Sequence, residues 1–156
     1  MKKVMFISST GGHLSELLQL KKIFKDYDYH LVTERTKSNL ALKDEYGKRV
    51  SFLFYGNKHN MLKYIFVFPA NLIWSIAKFI KYRPDAIVTT GAHTCVSMCY
   101  IAKLFRKKVI YIETFANIHT RTLTGRLVYP IADVFVVQWE SLLELYPNAV
   151  YGGWIF

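Results

Sequence analysis

Acidic residues are scarce in this chain of 156 residues, 11 against 21 lysines and arginines, which leaves a formal charge of +10. None at all lies between Glu45 and Asp85. Such a surplus calls for an anionic partner, whether nucleic acid, anionic lipid or a phosphorylated small molecule. Cysteine is nearly absent as well. Cys95 and Cys99 stand one helical turn apart in an apolar run, with no second pair and no secretory leader before Val4. They read as reduced core thiols of a cytosolic protein, neither a disulfide framework nor a zinc site. No apolar run is long enough to cross a bilayer. The uncharged stretch from Tyr64 to Ala77 falls short of the roughly 20 residues a spanning helix needs, and Pro69 interrupts it. No Gly-X-Gly-X-X-Gly follows the first apolar run, which argues against a free-standing dinucleotide enzyme. The basic residues flank apolar runs and form neither a recognition helix nor an arginine-rich arm, so nucleic acid is not the expected partner.

The composition is 52% hydrophobic and 16% aromatic, rich enough for one full core and, at this length, only one. Strand-like and helix-like segments alternate. Val4 to Ile7, Tyr29 to Thr33, Val50 to Tyr55, Asp85 to Thr90, Val109 to Ile112, Val134 to Val137 and Ala149 to Tyr151 read as strands. Helices are expected from the glycine turn to about Lys25, over Met61 to Tyr82, Thr94 to Phe105, Leu123 to Tyr129 and Ser141 to Tyr146, with a short polar helix or loop at Thr36 to Tyr46. Apolar strands separated by helices predict an α/β, Rossmann-like parallel sheet covered on both faces. In such sheets ligands bind beyond the carboxyl ends of the strands, at the switch in strand order.

The stretch Ser8-Ser9-Thr10-Gly11-Gly12-His13 joins the first strand to the first helix. Two glycines admit a ligand close to the backbone, and the first helical amides are unpaired donors suited to an anion. Gly91-Ala92-His93-Thr94 repeats a glycine-led turn into a helix, with His93 or Thr94 as its cap. Glu113 ends a buried strand, where a carboxylate either faces a cleft or pairs with Arg121 or Arg126. Asn117 belongs to a turn, and His119 and Arg121 lie in a polar loop suited equally to diphosphate binding or to solvation.

Between residues 58 and 83 an aromatic-rich apolar surface is bracketed by Lys58, Lys63, Lys78, Lys81 and Arg83. After Pro69, the residues Asn71, Ser75 and Lys78 share one helical stripe while Leu72, Ile73, Ile76, Phe79 and Ile80 fill the rest, with Trp74 near the boundary. One reading is a helix lying in an anionic bilayer interface, with Lys63, Phe66, Phe68, Ile73, Trp74, Lys78, Phe79 and Lys81 as its contacts. The other is an ordinary sheet-covering helix whose apolar face is core.

Four segments occur in order: Ser9-Thr10-Gly11-Gly12-His13, Thr89-Thr90-Gly91, Ile112-Glu113-Thr114-Phe115-Ala116, and Leu127 to Asp133 leading into Phe135-Val136-Val137-Gln138-Trp139. The set resembles bacterial PssD-, CpsF- and EpsE-type polysaccharide-biosynthesis subunits and the asparagine-linked-glycosylation-fourteen proteins. It is also similar to the N-terminal half of MurG-type GT-B glycosyltransferases. The resemblance implies a single acceptor-side and membrane-side GT-B domain over residues 1–156. The UDP-sugar donor, galactose or N-acetylglucosamine, would sit on a separate donor-binding chain, so no cofactor is expected in this one. The acceptor would be an undecaprenyl-diphosphate-linked sugar of a capsule or exopolysaccharide pathway, met at the cytoplasmic face of the plasma membrane by a peripheral protein.

On that reading Thr10, Gly11, Gly12, Gly91, His93, Thr94, Asn117 and Arg121 contact the acceptor. His13 is the first choice for the general base or orienter of the acceptor hydroxyl, and Glu113 is the alternative base or the orienter of His13. No metal is expected in this chain. The tail from 150 to 156, with Tyr151, Gly152, Trp154, Ile155 and Phe156, is expected to dock on the partner. A membrane adaptor without catalytic residues is the competing reading.

Overall fold

The computed structural model describes residues 1–56 and 61–155, with side chains described outside 61–65. Its seven strands form one sheet in the order β3-β2-β1-β4-β5-β6-β7, and every pairing is parallel. The strands are β1 (Lys3–Ile7), β2 (Asp28–Glu34), β3 (Val50–Leu53), β4 (Ala86–Thr89), β5 (Lys108–Ile112), β6 (Val134–Val137) and β7 (Val150–Tyr151). The helices are α1 (Gly12–Gln19), α2 (Lys21–Phe24), α3 (Leu42–Tyr46), α4 (Met61–Tyr82), α5 (His93–Leu104) and α6 (Leu123–Val128). This is the expected Rossmann-like sheet with helices on both faces. Order reverses between β1 and β4, so the ligand-binding switch lies at Ser8 and Thr90, where those strands end.

Side chains alternate across the pleat and divide the core in two. Val4, Phe6, Leu31 and Val50 face Leu17 and Phe24 of α1 and α2. Met5, Ile7, Val32 and Ile87 face Phe79 of α4, Cys95, Met98 and Cys99 of α5, and Val128 of α6. Both thiols are fully buried and unpaired with each other as a disulfide. Burying Leu17, Met98 or Leu142, each at 0% exposure, contributes about 1.5–3 kcal/mol apiece.

Several boundaries differ from the sequence reading, each for a local reason. The first helix breaks at Leu20, whose N–H reaches back to the Leu17 carbonyl, before α2 resumes. β3 stops at Leu53 because the side chain of Asn71, from α4, takes over the backbone of Phe54: its Oδ1 accepts from the Phe54 N–H at 2.8 Å and its Nδ2 donates to the Phe54 carbonyl at 2.9 Å. β4 ends at Thr89, one residue before the expected Thr90. The segment after Trp139 is only a 3₁₀ turn, Glu140–Leu143.

Helix α4 is inside out. Asn71, Ser75 and Phe79 are its buried stripe, at 6%, 0% and 4% exposure, whereas Phe66, Ile73, Trp74 and Ile80 are 76%, 67%, 51% and 54% exposed. Phe79, expected at the membrane, is instead core and stacks on Phe105 at 5.2 Å. The apolar surface continues over the same helical layer at Leu104, Leu123 and Leu127, which the sequence reading did not single out. Lys58 and the side chain of Lys63 lie outside the described residues. Among the described residues no helix is long and apolar enough to cross a membrane.

Candidate functional site at the strand-order switch

The turn after β1 and the turn after β4 are knitted together. The Ser9 N–H donates to the Gly91 carbonyl at 3.1 Å, and the Thr90 hydroxyl donates to the His13 carbonyl at 2.6 Å. His13 Nδ1 lies 2.8 Å from the Thr90 carbonyl oxygen. A carbonyl only accepts, so Nδ1 is the donor of this bond and Nε2 is the nitrogen left without a described partner on a partly exposed ring. Gly91 cannot be anything larger without cost: its φ is +93°, and a Cβ there would meet His13 Nδ1 and the Tyr111 hydroxyl at 3.3 Å. Gly12 is different, because a Cβ there would meet nothing within 4 Å.

Beside this turn, Glu34 ends β2 at 1% exposure. Its carboxylate accepts from the Thr10 N–H at 3.2 Å and the Thr94 hydroxyl at 2.6 Å, and His93 Nε2 lies 3.7 Å away. Asn39 donates to the Glu34 carbonyl at 2.8 Å and lies 3.4 Å from the Thr10 hydroxyl. Thr10, His93, Thr94 and the glycine turns are therefore brought to one place, held by the Glu34 carboxylate. Neither His93 nor Thr94 caps α5, whose N-cap is Ala92 without a side-chain bond.

Glu16, one turn after His13, was also missed. It is buried at 3% exposure and accepts from the Thr114 hydroxyl at 2.8 Å and the Phe115 N–H at 3.1 Å. Burial raises its pKa, opposed by those two bonds and by His13. It ties α1, and with it His13, to the segment after β5.

Glu113 is fully buried, and none of its described hydrogen bonds is to His13 itself, although the Tyr111 hydroxyl beside Gly91 donates to Glu113 at 3.4 Å. Its carboxylate accepts from the hydroxyls of Thr122 and Tyr146, at 2.9 and 3.0 Å, and from the Thr114 N–H at 3.0 Å. Burial, then the Glu113 charge, push the Tyr146 hydroxyl up in pKa. The expected pairing with Arg121 or Arg126 is replaced by these hydroxyls, because α6 comes so close that a Cβ on Gly125 would lie 2.2 Å from Glu113 Oε2. Arg121 instead donates to the Leu145 carbonyl and sits over the Tyr146 ring at 5.2 Å. Asn117 is engaged within its own turn by both Thr120 groups. All three hold the β5–α6 loop together.

The tail folds back on its own chain. Ile155 N–H donates to Gln138 Oε1 at 3.1 Å, and Trp154 lies 5.5 Å from Phe115 and 5.0 Å from Trp139. Trp154 is nonetheless 60% exposed and Tyr151 44%; Gly152 is exposed too, and Phe156 lies outside the described residues. Among the described residues no group of three His, Cys, Asp or Glu side chains is placed to hold a metal.

Residues 57–155 match the Alg14-like oligosaccharide biosynthesis family. The chain belongs to that family. Among its Alg14 relatives are proteins of Yarrowia lipolytica, 29% identical over 97% of this chain and 80% of the relative, and of Mus musculus, 26% identical over 97% and 82%. Each is named as a UDP-N-acetylglucosamine transferase subunit. In three dimensions the Alg14-like chain resembles MurG of Acinetobacter baumannii, with a TM-score of 0.71 at 18% identity over 90% of this chain and 43% of that one. It also resembles a UDP-N-acetylglucosamine 2-epimerase of Rickettsia bellii, at 0.73 and 17% over 99% and 45%. It spans less than half of either solved chain, and at these identities the likeness concerns fold. Of the two sides of the resemblance read from the sequence, the Alg14 side is the one to which the chain belongs.

Proposed function

We propose that this protein is the acceptor-side, membrane-associated subunit of a two-chain inverting glycosyltransferase. Its donor, UDP-N-acetylglucosamine, is held by a separate chain, and its acceptor is a sugar linked to a polyprenyl diphosphate. The names of the Alg14 relatives support the transferase, the donor sugar and the word subunit. The observation that carries the site is the His13–Thr90 bond, which uses Nδ1 as the donor and leaves Nε2 as the nitrogen that can take a proton beside the α1 amides. In the reaction the acceptor oxygen attacks the anomeric carbon, the bond from that carbon to the nucleoside diphosphate breaks, and Nε2 takes the hydroxyl proton. The Gly12 and His13 amides receive an anionic or polar part of the acceptor. Glu16 and Glu34 position this turn, and Glu113 holds the loop that Glu16 grips.

In the reconstituted pair, His13→Ala is expected to lower transfer by about 10²–10⁴-fold while leaving partner binding intact. Gly12→Ala should raise KM for the acceptor without lowering the melting temperature, since its new methyl enters open space on a helical residue. Undiminished turnover in His13→Ala removes the imidazole from the chemistry. A second reading, an adaptor for a self-sufficient transferase, is favoured by the structural engagement of Glu113, Asn117 and Arg121. It requires the partner alone to be nearly as active as the pair.

A further inference from the structure

β3 is the edge of the sheet, and beyond it runs a groove of about 420 Å³ between the α3 segment and α4. Phe52, Phe54 and Trp74 supply its aromatic lining, with Phe54 and Trp74 edge to face at 6.4 Å. Arg35, Lys43 and Lys78 are its cations, and no acidic side chain lines it. Four cations outside the groove find acids: Lys103 and Lys108 meet Asp133, Lys107 meets Asp85, and Arg49 meets Asp28. Among the described residues, none of the three groove cations has a carboxylate within ion-pair distance. Lys78 is half-buried, with its ammonium 5.8 Å over the Trp74 ring. Burial, and then Lys81, hold its pKa down. A cation in that position gains most from an incoming anion.

Trp74 belongs both to this groove and to the exposed apolar face of α4. A ligand that fills the groove at the polar end and continues along that face has a charged head and an apolar tail. We infer that the β3-edge groove seats the phosphate of a membrane lipid head group, gripped by Arg35, Lys43 and Lys78 while its chain lies along Trp74 and Ile73. Arg35 supplies a planar fork suited to phosphate oxygens, and the indole suits the boundary between head groups and acyl chains. The inference rests on the reading of α4 as the membrane-facing helix. It adds a specific seat to a general charge attraction, and both a bulk phosphatidylglycerol and a polyprenyl diphosphate offer the required chemistry.

Flotation of the full chain with vesicles of phosphatidylcholine alone, with added phosphatidylglycerol, or with added undecaprenyl diphosphate tests it. Four proteins are compared: the wild type, Arg35→Gln/Lys43→Gln/Lys78→Gln, the charge-matched Lys21→Gln/Lys22→Gln/Lys25→Gln on the opposite helical layer, and Ile73→Ser/Ile80→Ser. The groove variant is expected to lose the gain conferred by the phosphate lipid, roughly fivefold in partitioning per cation removed, while keeping the wild-type level on phosphatidylcholine. The charge-matched variant should retain most of the gain. A gain from phosphatidylglycerol or from undecaprenyl diphosphate identifies the source, and either supports the seat. A groove variant that behaves like the wild type, or no worse than the charge-matched variant, overturns it, as does the absence of wild-type binding to both phosphate-lipid vesicles. Undiminished binding by Ile73→Ser/Ile80→Ser overturns the α4 reading instead, and the loss seen in the groove variant still decides the seat.

Discussion

Within β2, His30 is buried at 7% exposure, stacked on Tyr82 with 3.5 Å between ring centroids, and its Nε2 lies 3.0 Å from the Ser51 hydroxyl. Burial, then the charges of Lys78, Lys81 and Arg49, push its pKa down to about 4. An unfolded histidine titrates near ~6.5, so between those values the unfolded chain binds a proton that the folded chain refuses. The stability this neutral ring contributes is whole above that unfolded value and falls as the pH drops towards the folded one. The melting temperature is therefore expected to decline from about pH 6.5 downward, and His30→Gln to flatten the upper part of that decline. An equal slope in the variant contradicts the assignment. Such buried polar groups were only partly legible. The rule that a carboxylate at the end of an apolar strand needs partners picked out Glu113 and applies equally to Glu34, one residue beyond the expected end of β2. Glu16 sits between Leu14 and Leu17, both buried, and that position inside the apolar stripe was its signal. What no spacing could give is partner identity: Glu113 meets three hydroxyls and an amide, two of the hydroxyls, those of Thr122 and Tyr146, where α6 arrives at Gly125, a contact set by tertiary packing.

At the scale of the element, α4 carries the clearest case of a pattern whose sense depends on packing. Its limits were readable from periodicity, and the stripe of Asn71, Ser75 and Lys78 was visible, but an apolar arc that wide does not declare which side faces the sheet. Asn71 decides it, because its amide completes the backbone of Phe54 where β3 has no further neighbour. The polar stripe turns inward and the large apolar residues turn out. If five of them gained only about 1 kcal/mol each on entering a lipid interface, the sum would exceed the roughly 4 kcal/mol of a millimolar affinity. Ile73→Ser/Ile80→Ser should thus leave stability within about 0.5 kcal/mol, since both side chains are exposed, whereas Phe79→Ala from the buried stripe should cost about 3–5 kcal/mol. Chemical denaturation of the two variants checks both; a large loss in the first would make α4 a core helix after all.

For the whole molecule, alternation of apolar strands with helices was enough to read a parallel Rossmann-like sheet, and the sheet order then puts the Ser8–His13 turn beside Thr90 at the reversal between β1 and β4. The α4 face and the β3-edge groove lie on the flank of β2 and β3, and the aromatic group of Phe115, Trp139 and Trp154 lies on the flank of β5 and β6. The tail, expected to dock on a partner, also holds to its own chain through the bond from the Ile155 N–H to Gln138 while Trp154 stays exposed; long-range pairing of this kind leaves no local signature. On the proposed function the architecture supplies half of a transferase: a turn for the acceptor, a base, and a surface for lipid. The decisive measurement is transfer of labelled N-acetylglucosamine from its UDP donor to a membrane-embedded polyprenyl-diphosphate-linked sugar, with this chain alone, a candidate donor-binding chain alone, and both. Product from the mixture only is the predicted result, and product from this chain alone would contradict a split active site.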